Sequence, residues 1–268
     1  METQRPAAVA GLFYPSDRTQ LKQLITTLLA GASMQTALPP PKALIAPHAG
    51  YVYSGPIAAS AYASLAKVAD RIHRVVLLGP VHRVPVRGLA LPGVESFATP
   101  LGTVPIDANA VARIRHLPQV ATNARAHTQE HSLEVHLPFL QVLLKDFTLL
   151  PLAVGDASTE EVAEVLNLLW GGPETLIVIS SDLSHYLPYA QARTRDADTS
   201  AAILALTRTP IQHDQACGGT PINGLLYTAR QHGLQSHLLD LRNSGDTAGE
   251  RDRVVGYGAY AFTETITA

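Results

Sequence analysis

Cysteine is almost absent from this chain of 268 residues: Cys217 stands alone. A single cysteine excludes an internal disulfide framework and fits a reducing compartment. Charge is also scarce, at 16% Asp, Glu, Lys and Arg, and it nearly cancels to a formal net charge of -2. Nothing in that balance draws the chain to nucleic acid or to an anionic membrane. No apolar run approaches the roughly 18 residues of a membrane span. The opening Met1-Glu-Thr-Gln-Arg-Pro6 lacks the apolar core of a signal peptide. A cytoplasmic protein is therefore expected. There is no Gly-x-Gly-x-x-Gly or P-loop pattern and no Gly-x-Ser-x-Gly elbow, so nucleotide binding and a serine-hydrolase triad have no support. Fixed-period repeats and low-complexity tracts are missing too, and residues 1–268 read as one domain.

What is present is apolar residue, 46% of the chain, arranged in two alternating patterns. Short apolar runs bounded by turn residues read as buried strands: the run ending at Ala46, 75–79, 147–154, 176–181, 236–241 and 254–262. Between them lie helical periodicities. Ser16 is placed to cap a helix carrying Leu21, Leu24, Ile25, Leu28 and Leu29. Residues 57–69 read as a second helix, and Asp107 caps a third that runs to about His116. His131 to Lys145 has helical spacing with a kink expected at Pro138. Ser158 with Glu161 forms a capping-box pattern. Residues 190–207 and 221–232 complete the helices. Pro-rich 36–41 and the Pro-, Gly- and Thr-rich 89–107 read as loops, the latter with room for a hairpin. Alternation of this kind predicts an α/β fold with a largely parallel central sheet flanked by helices.

The chain has 11 histidines, and three of them follow apolar runs. His48 comes after Leu44-Ile-Ala-Pro47, His82 after Val75-Val-Leu-Leu-Gly-Pro-Val81, and His185 after Leu176-Ile-Val-Ile-Ser-Ser-Asp-Leu-Ser184. In open α/β sheets, ligands sit just outside the carboxyl ends of the strands. Imidazole is the commonest metal ligand and a good general acid or base near neutral pH. The segment His127 to His136 adds further histidines and glutamates. On a helix, His131 and Glu134 would share a face while His136 points elsewhere; the pattern is not His-Glu-x-x-His. Cys217 lies in a Gly-rich turn ahead of a helix, a place where a thiol pKa falls. Each residue also has a plainer reading, since buried histidines are often satisfied by backbone and a free cysteine often acts as a small apolar side chain.

The segments Ala46-Pro-His-Ala-Gly-Tyr51, Leu78-Gly-Pro-Val-His82, Glu130-His-Ser-Leu-Glu-Val-His-Leu-Pro-Phe139, Ser180-Ser-Asp-Leu-Ser-His185 and Cys217-Gly-Gly-Thr-Pro-Ile222 together resemble the Memo family, which includes the AmmeMemoRadiSam system protein B of bacteria and archaea. Leu12-Phe-Tyr-Pro15, Asn243-Ser-Gly-Asp246 and Val254-Val-Gly-Tyr257 match it as well, so the resemblance spans nearly the whole chain. It implies a fold similar to class III extradiol dioxygenases and a metal site on His48, His82 and Cys217. It adds Asp182 and His185 as pocket residues, with His131, Glu134 and His136 near the pocket. His185 would then act as general acid or base, with Asp182 orienting it by a hydrogen bond. Fe(II) or Cu is the implied metal, with Zn also compatible. Radical-SAM and AMMECR1-type proteins are the implied partners, alongside a small-molecule or peptide ligand. The dioxygenases use a carboxylate as third iron ligand where Cys217 stands here, and Ser184 replaces a cysteine of the animal member. O₂-dependent redox chemistry is one expectation; a non-catalytic peptide- or protein-binding module and a metal-sequestering protein, both using the same pocket, are the others.

Overall fold

A computed structural model describes residues 3–32 and 38–264. In chain order its strands are β1 (Gln4–Arg5), β2 (Pro41–Ala46), β3 (Arg74–Pro80), β4 (Leu89–Leu91), β5 (Ser96–Thr99), β6 (Gly102–Pro105), β7 (Val120–Thr122), β8 (Thr148–Val154), β9 (Thr175–Ser180), β10 (His185–Leu187), β11 (Leu234–Asn243) and β12 (Val254–Glu264). The helices are α1 (Arg18–Gly31), α2 (Tyr51–Ala63), α3 (Ala108–Ile114), α4 (Ala124–Thr128), α5 (Leu137–Leu143), α6 (Thr159–Leu169), α7 (Tyr189–Leu204) and α8 (Gly219–Gln231). No helix among the described residues is long and apolar enough to cross a membrane.

The uninterrupted apolar runs become the centre of the main sheet. β2, β9, β3 and β8 lie side by side and parallel, and nearly every residue in them is buried. A parallel strand covered by helices on both faces has no solvent side, which is why these segments carry no polar alternation. Antiparallel strands flank this centre. β12 pairs with β2, β10 and β11 pair with β12, and β4 pairs antiparallel with β8 before β7 adds to β4. A separate small sheet joins β1, β5 and β6, with β5 and β6 forming the hairpin for which 89–107 had room.

Side chains alternate across each strand, so one run feeds two cores. Leu44, Val75, Leu77 and Val178 face the layer of α1, α2 and α5, meeting Leu21, Ile25, Ile57, Tyr62 and Phe139. Ile45, Val76, Leu78, Ile177 and Ile179 face the layer of α3, α6 and α8, meeting Ile114, Val165, Leu166, Ile222 and Leu225. The register is what matters for chemistry. Ala46 pairs with Ser180 and Leu78 with Ile179. The carboxyl ends of β2, β3 and β9 therefore stop together, and the residues that follow them meet at one edge.

Several local features depart from the expected pattern for identifiable reasons. The cap of α1 is Asp17, whose side chain accepts the Gln20 N–H, rather than Ser16. α2 starts at Tyr51 and keeps Pro56 inside it. Of the loop expected at 36–41, residues 36 and 37 lie outside the described residues and Pro41 already belongs to β2. The expected helix from His131 is instead a turn, then a single 3₁₀ turn over Glu134–His136, then α5. Pro138 sits in the first turn of α5, where its missing N–H has no partner to lose. It opens a helix rather than kinking one.

That break frees Glu134 for a structural role. Its carboxylate is fully buried and accepts from Arg5 Nη1 at 2.6 Å, Tyr14 Oη at 2.5 Å, and the backbone N–H groups of Ala8 and Val9 at 2.7 and 3.0 Å. It pins the amino-terminal segment to the body. Removing one partner of a buried ion pair strands the other charge, at a cost of about 3–5 kcal/mol. Glu134→Ala should lower unfolding stability in urea by about that amount; a loss under about 1 kcal/mol, the worth of an exposed pair, would contradict this role.

Candidate metal centre

His48 leaves β2 after two residues and is buried, with 2% of its surface exposed. Its backbone N–H donates to Asp182 Oδ1 at 2.8 Å, and its ring Nδ1 lies 2.7 Å from Ser180 Oγ at the end of β9. The Ser180 hydroxyl hydrogen is already committed to the Ser132 carbonyl at 2.6 Å. Ser180 Oγ must therefore accept from the ring. His48 carries its proton on Nδ1 and presents a bare lone pair at Nε2.

His82 follows β3 and opens to solvent, its side chain 30% exposed. Its Nδ1 lies 2.8 Å from Glu130 Oε1, and its backbone N–H donates to Glu130 Oε2 at 2.6 Å. A carboxylate only accepts, so the neutral form of His82 also holds its proton on Nδ1 and frees Nε2. Glu130 Oε1 accepts the backbone N–H groups of His131 and Ser132 as well, each at 3.0 Å, and His131 Nδ1 is 3.3 Å away. Burial alone would raise the Glu130 pKa, but these donors, His82 first, bring it down to about 2. Glu130 is a fixed anion that orients the rings around it.

The outcome is a cluster of three imidazoles. His82 and His131 stack with centroids 4.7 Å apart, and His48 meets both edge-on at 5.2 and 5.4 Å. Phe13 packs on the His131 ring at 4.8 Å. One ring nitrogen from each histidine lies within 4.8 Å of those of the other two. Nitrogens on one ion are at most about 4.2 Å apart, twice a bond of roughly 2.1 Å, so a small contraction would close the group on a metal. Burial holds His48 well below its ordinary pKa, aided by the neighbouring histidines, and holds His131 down to about 4. Both are neutral at physiological pH, the form that binds metals.

Cys217 touches this cluster only at His48. Its Sγ is 3.4 Å from His48 Nε2, 3.6 Å from the Asp182 carbonyl and 3.9 Å from Ser181 Oγ. Gly218 permits this approach: a Cβ there would sit 2.6 Å from the Ser180 carbonyl. The expected low thiol pKa at a helix start is overturned. Burial pushes it up to about 12, with the Asp182 charge adding to the effect, and these outweigh the start of α8.

Asp182 serves His48 rather than His185. Besides the His48 N–H, its Oδ2 lies 3.9 Å from His48 Nε2; with His48 neutral this approach is not an ion pair. Burial raises the Asp182 pKa to about 6. His185 is oriented by the Leu183 carbonyl, 2.8 Å from its Nδ1, which corrects the expected Asp182–His185 hydrogen bond and leaves His185 Nε2 free. Of the trio His131, Glu134 and His136, only His131 joins the cluster. Glu134 holds the amino-terminal segment, and His136 is buried with Nδ1 2.8 Å from Tyr62 Oη. Glu130, Ser180 and Ser132 were not singled out by sequence reasoning. The available signal was that histidine ligands need an acceptor for the other ring nitrogen, and Glu130 directly precedes His131.

Convergent imidazoles with outward lone pairs at the carboxyl edge of a parallel sheet define an α/β protein with a candidate metal centre. The chain belongs to the Memo family: the family model described as Memo-like protein matches residues 5–261. It is 35% identical over 269 residues to a MEMO1 family protein of Aquifex aeolicus, covering 96% of this chain and 98% of that one. A MEMO1 family protein of Methanosarcina acetivorans is 36% identical over 274 residues, covering 97% and 98%. A crystal structure of an uncharacterized Escherichia coli K12 protein superposes with TM-score 0.49 and 14% identity, over 82% of this chain and 98% of that one.

Loss of an outer hydrogen-bond partner typically lowers metal affinity 10–100-fold, by roughly that range. Ser180→Ala and Glu130→Gln should each weaken Co(II) binding, followed by its visible absorption, to about that extent. Unchanged affinity in both variants, with thermal unfolding showing them folded, would contradict the orienting role.

Proposed function

We propose that this Memo-family protein holds one redox-active transition ion, Fe(II) or Cu, on His48 and His82 with a third donor beside them, and uses it in O₂-dependent oxidation of a small molecule. The observation that carries this reading is the paired tautomer: Ser180 and Glu130 take the Nδ1 protons of His48 and His82, so both Nε2 lone pairs are left for a ligand. A donor set of imidazoles and a thiol, with no carboxylate among the three clustered donors, suits Fe, Cu or Zn and disfavours Mg, Ca or Mn. The bound ion would supply O₂ activation and electron transfer; Zn on the same donors would supply Lewis acidity alone.

The chain's own residues divide the remaining work. His82 lies at the solvent side, so substrate enters past it. Phe13 covers the His131 ring and limits water on that flank. His185, with Nδ1 anchored on Leu183 and Nε2 free, is a proton acceptor beside the site. Asp182, held on the His48 backbone, fixes the end of β9 against the loop that follows β2.

Metal analysis of untagged protein purified without air tests this. Near-stoichiometric iron or copper is expected in the wild type and should be lost in His48→Ala and His82→Ala. Absence of metal even after reconstitution with Fe(II) and Cu(I), or full retention in both variants, would overturn the reading and favour a non-catalytic binding module.

A further inference from the structure

The histidine cluster occupies the carboxyl edge of the sheet. A cavity of about 640 Å³ opens at the opposite edge, within the roughly 300–1,000 Å³ of small-molecule sites. His73, directly before β3, and Thr148, which opens β8, lie on its wall. The hairpin of β5 and β6, the end of α5 and the start of α1 complete it. No residue of the metal centre lines it.

Its charge runs against that of the chain. The sequence carries 20 Lys and Arg against 22 Asp and Glu, yet Arg18, Lys22 and Lys145 line this cavity against one acid, Asp146. Three cations less one anion leave an excess of two positive charges, which matches the roughly −1.5 to −2 of a phosphate monoester at neutral pH. The fold makes little use of these cations. Arg18 Nη1 donates to the Leu101 carbonyl at 2.9 Å, which ties the guanidinium to the hairpin and leaves its other N–H groups for a ligand. Among the described residues the Lys22 ammonium has no ion-pair partner. Lys145 reaches Asp70 at 3.3 Å, but both side chains are 82% exposed, so that pair is weak. Arg18 and Lys22 stand four residues apart on α1, where like charges repel. Asp17 caps this helix through the Gln20 N–H but does not line the cavity. An anion bound between the two cations would relieve their repulsion.

The remaining wall is apolar. Val104 and Phe147 are buried in it. Thr103 adds one donor: its Oγ1 already accepts from Gln4 Nε2 at 3.0 Å, so its hydroxyl hydrogen is left to give. A cationic rim over an apolar wall suits a molecule with an anionic head and an apolar body. We propose that this cavity binds a small organic phosphate, with the phosphoryl group held by Arg18 and Lys22, charge added by Lys145, and the apolar body laid on Val104 and Phe147. The site needs no metal and does not rest on the metal-binding reading above.

Calorimetric titration of the full chain with naphthyl phosphate, naphthol and inorganic phosphate separates head from body. Naphthyl phosphate should bind at least about tenfold more tightly than either fragment, and equally well with and without excess EDTA. Replacing both cations, Arg18→Gln with Lys22→Gln, should weaken it at least about tenfold. Both side chains are exposed, so the double variant should stay folded, which thermal unfolding checks. Amide NMR on the wild type needs no variant, and the shifted signals should be those of Lys22, Thr103 and Phe147. Shifts at the histidine edge instead, or affinity lost on chelation, would put the phosphate on the metal and overturn the proposal. Inorganic phosphate binding as tightly as naphthyl phosphate would mean an adventitious ion only, and unchanged affinity in the double variant would mean that these cations hold nothing; either overturns it. Short single-stranded RNA that displaces naphthyl phosphate at equal phosphate concentration would make this a nucleic-acid surface and overturn it as well.

Discussion

The site depends on one buried carboxylate. Glu130 accepts two N–H groups from His82, ring and backbone, and the backbone N–H groups of His131 and Ser132. These contacts join the loop after β3 to the segment ahead of α5, two parts of the chain 48 residues apart. They also decide chemistry. Because the carboxylate stays ionised, the neutral form of His82 has one available tautomer, with Nε2 left for a ligand. Ser180 does the same for His48 through a hydroxyl whose own hydrogen is spoken for by Ser132. Ser132 closes the arrangement, since its N–H goes to Glu130 and its carbonyl receives Ser180. Two rings on two strands are thus oriented by one connected set of hydrogen bonds.

The sheet makes this connection feasible. The aligned carboxyl ends of β2, β9 and β3 bring His48, Asp182 and His82 to one edge without long excursions of the chain. Dense packing beneath fixes their spacing. At Gly79, near the end of β3, a Cβ would fall 2.9 Å from Leu133 and 3.0 Å from Ser180. The strand ends are pressed together there, so the residues beyond them have little freedom. Glu134, a few residues past the cluster, spends its charge on Arg5 and Tyr14 and holds the segment that carries Phe13 over His131.

Much of this was legible in the sequence. Continuous apolar runs identified β2, β3, β8 and β9, since strands buried on both faces have no polar positions to blur them. Histidines beyond three of those runs, His48, His82 and His185, pointed to the edge where ligands bind. The capping box at Ser158 and Glu161 formed with both its hydrogen bonds. What sequence could not supply was contact between distant segments. Glu130 orients a ring 48 residues away, and Ser180 orients one 132 residues away; no spacing rule connects them. Glu134 was weighed by helical spacing from His131, but Pro138 starts a helix only after that point, so the shared face never forms. For Cys217 the start of α8 was legible and the burial that dominates the thiol was not.

Hydrogen bonding within the protein alone sets the ring tautomers of His48 and His82. Long-range proton–nitrogen NMR correlation on the metal-free protein reads the tautomer of each ring directly. The neutral form of each ring is predicted to carry its proton on Nδ1. A neutral ring carrying its proton on Nε2 instead, or a rapidly exchanging mixture of tautomers, would contradict this.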